Sequence, residues 1–261
     1  GTTPGVNAHM LQASNLSLPG QKMINFHGTV NYPPASLDLS FNAGNSGPNG
    51  TVNAVAYSAV SSRIYVGGSF TQYNGSAYTN LVALNAVDGT VDGSFSSHSF
   101  NGPILAIAVQ PWDGKVLVGG AFTTVDGSSY GNMVRFDTTG GIDSFFINVG
   151  MGFDNTVRAI AVRNFDHHII VGGDFNNYFG VGAVGKAVHL SENGTPSVIL
   201  GFSSGSFNGF NIIGASVNAV AVDQTSGSIY VGGSFSGCLD QALSLNNLCS
   251  TTYPGDFGNN S

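Results

Sequence analysis

Four copies of one pattern constrain this chain more than any other feature it has. An apolar strand rich in alanine leads, through a short turn, to a second apolar strand that ends Gly-Gly-x-Phe. The copies run Val52-Asn53-Ala54-Val55-Ala56 to Ile64-Tyr65-Val66-Gly67-Gly68-Ser69-Phe70, Ile104–Ala108 to Val116–Phe122, Val157–Ala161 to Ile169–Phe175, and Val217–Ala221 to Ile229–Phe235. The first glycine of each pair is Gly67, Gly119, Gly172 or Gly232, giving spacings of 52, 53 and 60 residues.

Each unit continues with a second pair of strands. Leu81–Asn85, Met133–Asp137, Ala187–Leu190 and Ala242–Leu245 hold equivalent places. Each leads through a polar turn to a short strand ending at Phe95, at Phe145 or Phe146, at Phe202, and more loosely at Phe257. An extra copy of this last strand, Leu37–Phe41, precedes the first full unit. We label the four strands of a unit A, B, C and D. Self-similarity at roughly 40–50 residues with four strands per unit is the sequence signature of a β-propeller. The fold class expected is therefore all-β, a propeller of four-stranded antiparallel blades, with five blades favoured and four the alternative. The units fall at about 42–95, 96–146, 147–202 and 203–257. Residues 1–36 form a separate segment, read as a degenerate blade or an oligomerisation element, and 37–261 hold the repeats.

Composition agrees. Only 8% of residues are charged, and 38 are glycine. Of the 14 acidic residues, Glu192 alone is glutamate; aspartate suits turns and glutamate suits helices. Within strand A the small alanines suit a crowded inner strand, and strand B is rich in Val, Ile and Tyr as a doubly buried strand is. The Gly-Gly pair permits a bulge or close backbone approach where strand B meets its loop.

The net charge is −7, with seven scattered Lys and Arg. No basic stripe exists to neutralise phosphates, so neither a nucleic acid nor an anionic membrane is an expected partner. No apolar run of about 18 residues occurs, so no membrane insertion is expected. The opening Gly1–Gly5 does not read as a signal peptide, and a start at Gly suggests a mature or trimmed chain. Cys238 and Cys249 allow a single pairing. The Asn/Ser/Thr-rich surface suits an oxidising, extracellular setting, so a disulfide closing a terminal loop is expected, with two buried thiols as the plainer reading.

The string from Ser40 to Phe95 resembles the delta-60 repeat family of β-propellers, found mostly in large bacterial surface or secreted proteins. The likeness spans about residues 37–257. That family is defined by architecture, so the resemblance implies an extracellular or cell-surface location and carries no catalytic residue onto this chain.

No catalytic constellation, cofactor motif or metal-binding spacing stands out. His167-His168 is the sole adjacent histidine pair, and His168 aligns with Arg63, Lys115 and Ser228 as a solvated strand start. Arg158, on inner strand A, is the one charge worth inspecting for an enzymatic role, against Asn53, Leu105 and Asn218 at its equivalents. Trp112, in an A–B turn, reads as a packing residue on the opposite face from the long loops. Those long loops, B–C and D–A, emerge on one face and are rich in Tyr, Phe, Asn and Ser. The candidate ligand-binding residues are Tyr73, Asn74, Tyr78, Asp126, Tyr130, Asn177, Tyr178 and Phe179. Aromatic faces beside amides and hydroxyls suit a paratope-like surface. The expected function is a non-enzymatic recognition or adhesion module binding a surface glycan or a protein on another cell. A structural spacer or assembly domain of a surface fibre, with homo-oligomers, is the alternative; a propeller hydrolase or lyase is third.

Overall fold

The computed structural model describes residues 40–146, 152–178, 182–183, 185–196, 212–238, 244–245 and 248–251. The 1–36 segment lies outside them. The described residues form nineteen strands and no helix. The first blade holds β1 (Thr51–Ser58), β2 (Arg63–Ser69), the small hairpin β3 (Gln72–Tyr73) and β4 (Ser76–Ala77), and β5 (Leu81–Asn85). The second repeats this with β6 (Ile104–Val109), β7 (Val116–Gly120), β8 (Thr124–Val125), β9 (Ser128–Ser129) and β10 (Met133–Phe136). The third has β11 (Val157–Arg163), β12 (His168–Gly173), β13 (Asn177–Tyr178), β14 (Gly182–Ala183) and β15 (Ala187–Leu190). In the fourth stand β16 (Ile212–Val222), β17 (Ile229–Cys238), β18 (Ser244–Leu245) and β19 (Leu248–Thr251).

Every sheet is antiparallel, with A, B and C side by side in the first three blades. Strand D is reduced to a single bridge in each of these: Val91 on Leu84, Ile142 on Phe136, and Pro196 on Leu190. Successive blades meet through their inner strands, β1 against β6, β6 against β11, and β11 against β16. This is the arrangement of a β-propeller, as the repeat predicts.

The Gly-Gly pair does two separate jobs. The second glycine faces backbone: a Cβ on Gly68, Gly120, Gly173 or Gly233 would collide with the carbonyl of Thr51, Pro103, Thr156 or Ser216, on strand A or just before it. Strand A bulges at this point in each of the four blades among the described residues, at Asn53, Leu105, Arg158 and Asn218. The first glycine faces the next blade. A Cβ on Gly67 would strike Ile104 and Ile107, one on Gly119 would strike Val157 and Ile160, and one on Gly172 would strike Val217 and Val220. Strand A of each following blade thus seats two apolar knobs over a glycine hole. Ile104, Val157 and Val217 are fully buried there, each burial contributing about 1.5–3 kcal/mol.

The terminal phenylalanine of strand D also packs forward. Phe41 joins the core of the first blade, Phe95 that of the second and Phe146 that of the third. Phe146 rather than Phe145 fills this place, since Phe145 is 88% exposed.

The fourth blade departs from expectation in two ways. Strand C was expected at Ala242–Leu245, but β19 lies beside β17, with Leu248 opposite Gly232 as Leu81 is opposite Gly67. β18 lies outside it. The expected disulfide is not formed. Cys249 pairs in register with Val231 and Cys238 lies seven residues further along β17, roughly 23 Å at 3.3 Å per residue. A disulfide needs Cα atoms within about 7 Å.

Candidate functional site

The long loops are built by one device used three times. A side-chain oxygen from the D–A loop accepts two successive backbone N–H groups just beyond Gly-Gly-x-Phe. Asn49 Oδ1 accepts from Thr71 and Gln72 (2.9 and 3.0 Å), Asn101 Oδ1 from Thr123 and Thr124 (2.8 and 2.9 Å), and Asp154 Oδ1 from Asn176 and Asn177 (2.8 and 3.1 Å). The same loops pair through single bridges, Pro48 to Tyr73, Phe100 to Val125 and Phe153 to Tyr178. Burial pushes the Asp154 carboxyl up, but the Asn177 and Asn176 N–H groups outweigh it and hold it below the usual range. At the matching position of the fourth blade stands Gly214, which has no side chain to offer. There β16 and β17 lengthen instead, pairing Ile212 with Cys238 and Ile213 with Gly237. The Asn/Asp five residues before each strand-A alanine (Asn49, Asn101, Asp154) was visible in the sequence; its partners, some 22 residues on, were not.

The candidate loop-face residues divide sharply. Tyr73, Tyr130 and Tyr178 are at most 5% exposed and belong to the blade cores, which corrects their expected place on a binding surface. Tyr73 and Tyr178 occupy the inner position of a loop pair, held by Val125 in the second blade, and Tyr130 stands at the place of Tyr78; their rings supply apolar area that holds the loops down. Tyr178 stacks obliquely on Phe153 at 4.9 Å and donates its hydroxyl to the Gly194 carbonyl at 2.8 Å. Burial lifts its pKa to about 12. Tyr78 is half-buried against the first blade's core. Asn74 sits at a hairpin tip with φ of 50° and exchanges amide hydrogen bonds with Asn42 (2.8 and 3.2 Å) while accepting from the Gly47 N–H. Asp126 holds the same tip in the second blade, accepting from Ser99 N–H and standing 2.6 Å from His98 Nδ1. Asn177 is exposed and donates to Asp154 Oδ2 at 2.7 Å. Phe179 lies outside the described residues. The structure thus brings these residues together blade by blade, as loop ties, and leaves Gln72, Ser76, Ser128, Ser129 and Asn176 on the outer rim.

The opposite, turn face holds the three buried arginines. A buried arginine ends each of the first three blades and crosses to the next. Arg63 donates to the Thr138 carbonyl, Arg135 to the Glu192 carbonyl and Arg163 to the Gly227 carbonyl at 3.5 Å. They come from strands B, C and A respectively, so no alignment column shows them. Arg63 also binds Asp92 at 2.6 Å; the Ser94 hydroxyl first, and then Arg63, hold that carboxyl at about 2. Arg135 binds Asp143 at 2.9 Å, where Lys115 also reaches it at 3.0 Å.

Asp166, His168 and His189 have ligating atoms within 4.8 Å of one another, the one such group among the described residues. Arg163 fills its centre: one guanidinium nitrogen reaches Asp166, His168 Nδ1 at 3.1 Å and His189 Nε2 at 3.0 Å. The cation of this cluster is the protein's own. Burial, then His168 and Arg163, push His189 down to about 3. Arg158 is half-exposed and forms a bidentate pair with Asp174 of its own blade, at 2.7 and 2.8 Å.

Aromatic residues reach solvent on this turn face. Val60, Trp112 and Phe165 occupy the third position of successive A–B turns; Val60 is 53% and Phe165 57% exposed. Trp112 is half-exposed and stacks on His167, with ring centroids 4.0 Å apart and planes at 7°. The lone glutamate, Glu192, accepts from Trp112 Nε1 at 3.1 Å and faces His167 Nδ1 at 3.2 Å.

A family described as the domain of unknown function DUF5122 β-propeller matches residues 62–95 and 113–146. Both matches run from the end of an A–B turn to the phenylalanine of strand D. These segments are repeats of a propeller class. No curated protein matches the chain. Among solved structures, the WD40 β-propeller domain of Doa1 is similar, at 16% identity and a TM-score of 0.42, over 71% of this chain and 49% of that one. The chain therefore spans about half the length of that structure.

Proposed function

We propose that the chain is a non-enzymatic recognition module, displayed outside the cell or on its surface, which presents the rim of its long-loop face to a glycan. The observation that carries this reading is the threefold latch. Asn49, Asn101 and Asp154 fix the loops in one conformation, so the exposed hydroxyls and amides beyond them stand on a rigid scaffold. A preorganised polar surface loses less entropy on binding, and it suits a ligand rich in hydroxyl groups. Two further facts support a non-catalytic role. The buried arginines are each paired with a carboxylate, and the ionic cluster around Arg163 is closed on itself. The delta-60 likeness, from a class common at bacterial surfaces, favours the same setting.

The exposed Val60 and Phe165 favour a second reading, a protein ligand on the turn face. Glycan-array and whole-cell binding separate the two. Gln72→Lys with Ser128→Lys abolishes binding under the first reading, and Val60→Asp with Phe165→Asp leaves it intact. The reverse pattern supports the turn face. A wild-type chain that binds neither glycans nor cells overturns both.

A further inference from the structure

The four A–B turns of the turn face touch in series. Val60 of the first lies against Gly114 of the second, so close that a Cβ on that glycine would stand 3.0 Å from it. Trp112 of the second stacks on His167 of the third. Asn164 of the third donates its backbone N–H to Gln224 of the fourth at 2.9 Å, and the Gln224 amide donates to the Val162 carbonyl at 2.8 Å. Val60, Trp112 and Phe165 therefore stand on one connected arc.

Charge on this face is sorted by depth. Arg63, Arg135 and Arg163 are at most 8% exposed, and each is matched by a carboxylate, Asp92, Asp143 or Asp166. Asp88, Asp113, Asp137, Glu192 and Asp223 lie in the turns of the same face against Lys115 alone, five carboxylates to one ammonium and so a surplus of four. The long-loop face holds Asp126, Asp154 and Asp174 against Arg158 and Lys186, a surplus of one among the described residues. The turn face thus hides its guanidiniums and shows its carboxylates. The Glu192 side chain is 47% exposed. Burial pushes its carboxyl up, but hydrogen bonds from His167 and Trp112 outweigh it and hold it low, so it keeps its charge.

Trp112 and Glu192 are also held ready. His167 takes left-handed backbone, with φ of 61°, where Gly114 and Gly227 take it in the neighbouring turns. Its ring props the indole from one side while Glu192 holds Nε1. A fixed, half-exposed ring beside a carboxylate suits a guanidinium or an ammonium group. The fold makes that contact three times with its own residues: Arg63 lies 5.9 Å over Phe95, Arg135 4.4 Å over Phe146 and Arg163 5.0 Å over Phe165, each paired with its aspartate. At Trp112 the ring and the carboxylate recur at the surface, and the third member is a histidine.

We propose that the turn face binds a cationic segment of a partner protein, whose apolar side chains cover Val60 and Phe165 and whose lysines or arginines meet Glu192 and the indole of Trp112. This rests on the turn-face reading given above and adds the chemistry of the partner. Charge attracts the segment, and the two exposed apolar groups select among cationic partners.

Trp112 is the chain's lone tryptophan, so its fluorescence reports binding by tryptophan-free peptides. The full chain is titrated with three synthetic peptides of equal length, alternating Lys and Leu, Glu and Leu, or Lys and Ser. The Lys–Leu peptide is expected to shift the emission saturably, and the other two to bind at least about tenfold more weakly. Val60→Ser with Phe165→Ser weakens the Lys–Leu peptide by a similar factor with circular dichroism and melting unchanged. Glu192→Gln weakens it too and flattens its dependence on salt. A Lys–Ser peptide that binds as well as Lys–Leu overturns the proposal, because charge alone is then being read. A Glu–Leu peptide that binds as well, and is lost in the Val60 and Phe165 double variant, overturns the cationic partner while supporting a protein ligand on this face. Silence with all three peptides overturns the proposal, and whole-cell binding by the Val60→Asp, Phe165→Asp variant then decides the turn-face reading by itself.

Discussion

Val157 of the third blade lies over Gly119 of the second so closely that a Cβ on that glycine would overlap the valine's Cγ1. Gly120, its neighbour, is closed off instead by the Pro103 carbonyl. Two adjacent glycines are thus required for different reasons, one by a side chain and one by backbone. Gly119→Ala is expected to cost about 1–3 kcal/mol, the usual cost of overpacking, and Val157→Ala introduced with it recovers part of the loss. Gly120→Ala is expected to cost more, with no recovery from any side-chain partner. Urea unfolding of the three variants checks this.

The buried arginines differ in what their loss leaves behind. Arg63→Met strands Asp92, whose charged partner is that arginine, and toward about 3 kcal/mol of stability is expected to go. Arg135→Met leaves Asp143 still paired with Lys115 at 3.0 Å and is expected to cost less. Melting temperatures of the two variants, compared side by side, decide the order.

Stability is expected to fall with acidity through His189. Its folded pKa, about 3, lies below the ordinary 6.5, so the unfolded chain takes up the proton first. The folded state loses ground as pH drops below about 6.5, and the loss is complete near 3. The groups facing this ring are His168, Arg163 and Asp166. The Asp166 carboxyl is pushed up by burial but held low by its His168 and Arg163 hydrogen bonds, so it weakens the fold in the same direction at lower pH. His189→Gln is expected to flatten the upper part of the profile, measured as melting temperature against pH.

Much of the fold was legible because repetition exposes spacing. The A and B strands, the bulge at the glycine pair, and the forward-packing phenylalanine all recur in four or nearly four copies. The buried tyrosines were misread for a physical reason. Tyr73, Tyr130 and Tyr178 sit among Asn, Ser and Gly, a composition shared by binding loops and by tight hairpins that need one aromatic ring to hold them down. The arginine crossings were hidden because Arg63, Arg135 and Arg163 stand on three different strands and meet in function only through the turn carbonyls they reach. The fourth blade's strand C slipped by six residues because Ala242–Leu245 resembles the earlier copies more than Leu248–Thr251 does.

Trp112 is the chain's lone tryptophan and so reports on the turn face directly. Its indole lies flat on His167 and its Nε1 is held by Glu192. His167→Ala is expected to brighten and red-shift its fluorescence, by removing a stacked ring and admitting water. Glu192→Ala is expected to shift it less. Spectra identical to wild type in both variants contradict the stack.

The rigid loop face stands on the Asx latches, and amide hydrogen exchange measures them one by one. The N–H groups of Thr71, Gln72, Thr123, Thr124, Asn176 and Asn177 are expected to be protected although their residues lie at the surface. In Asn101→Ala, protection is expected to vanish at Thr123 and Thr124 and to persist in the other two loops. Exchange of all six at the rate of an open chain in the wild type would contradict the account, because a loop that moves freely offers no fixed surface for a ligand.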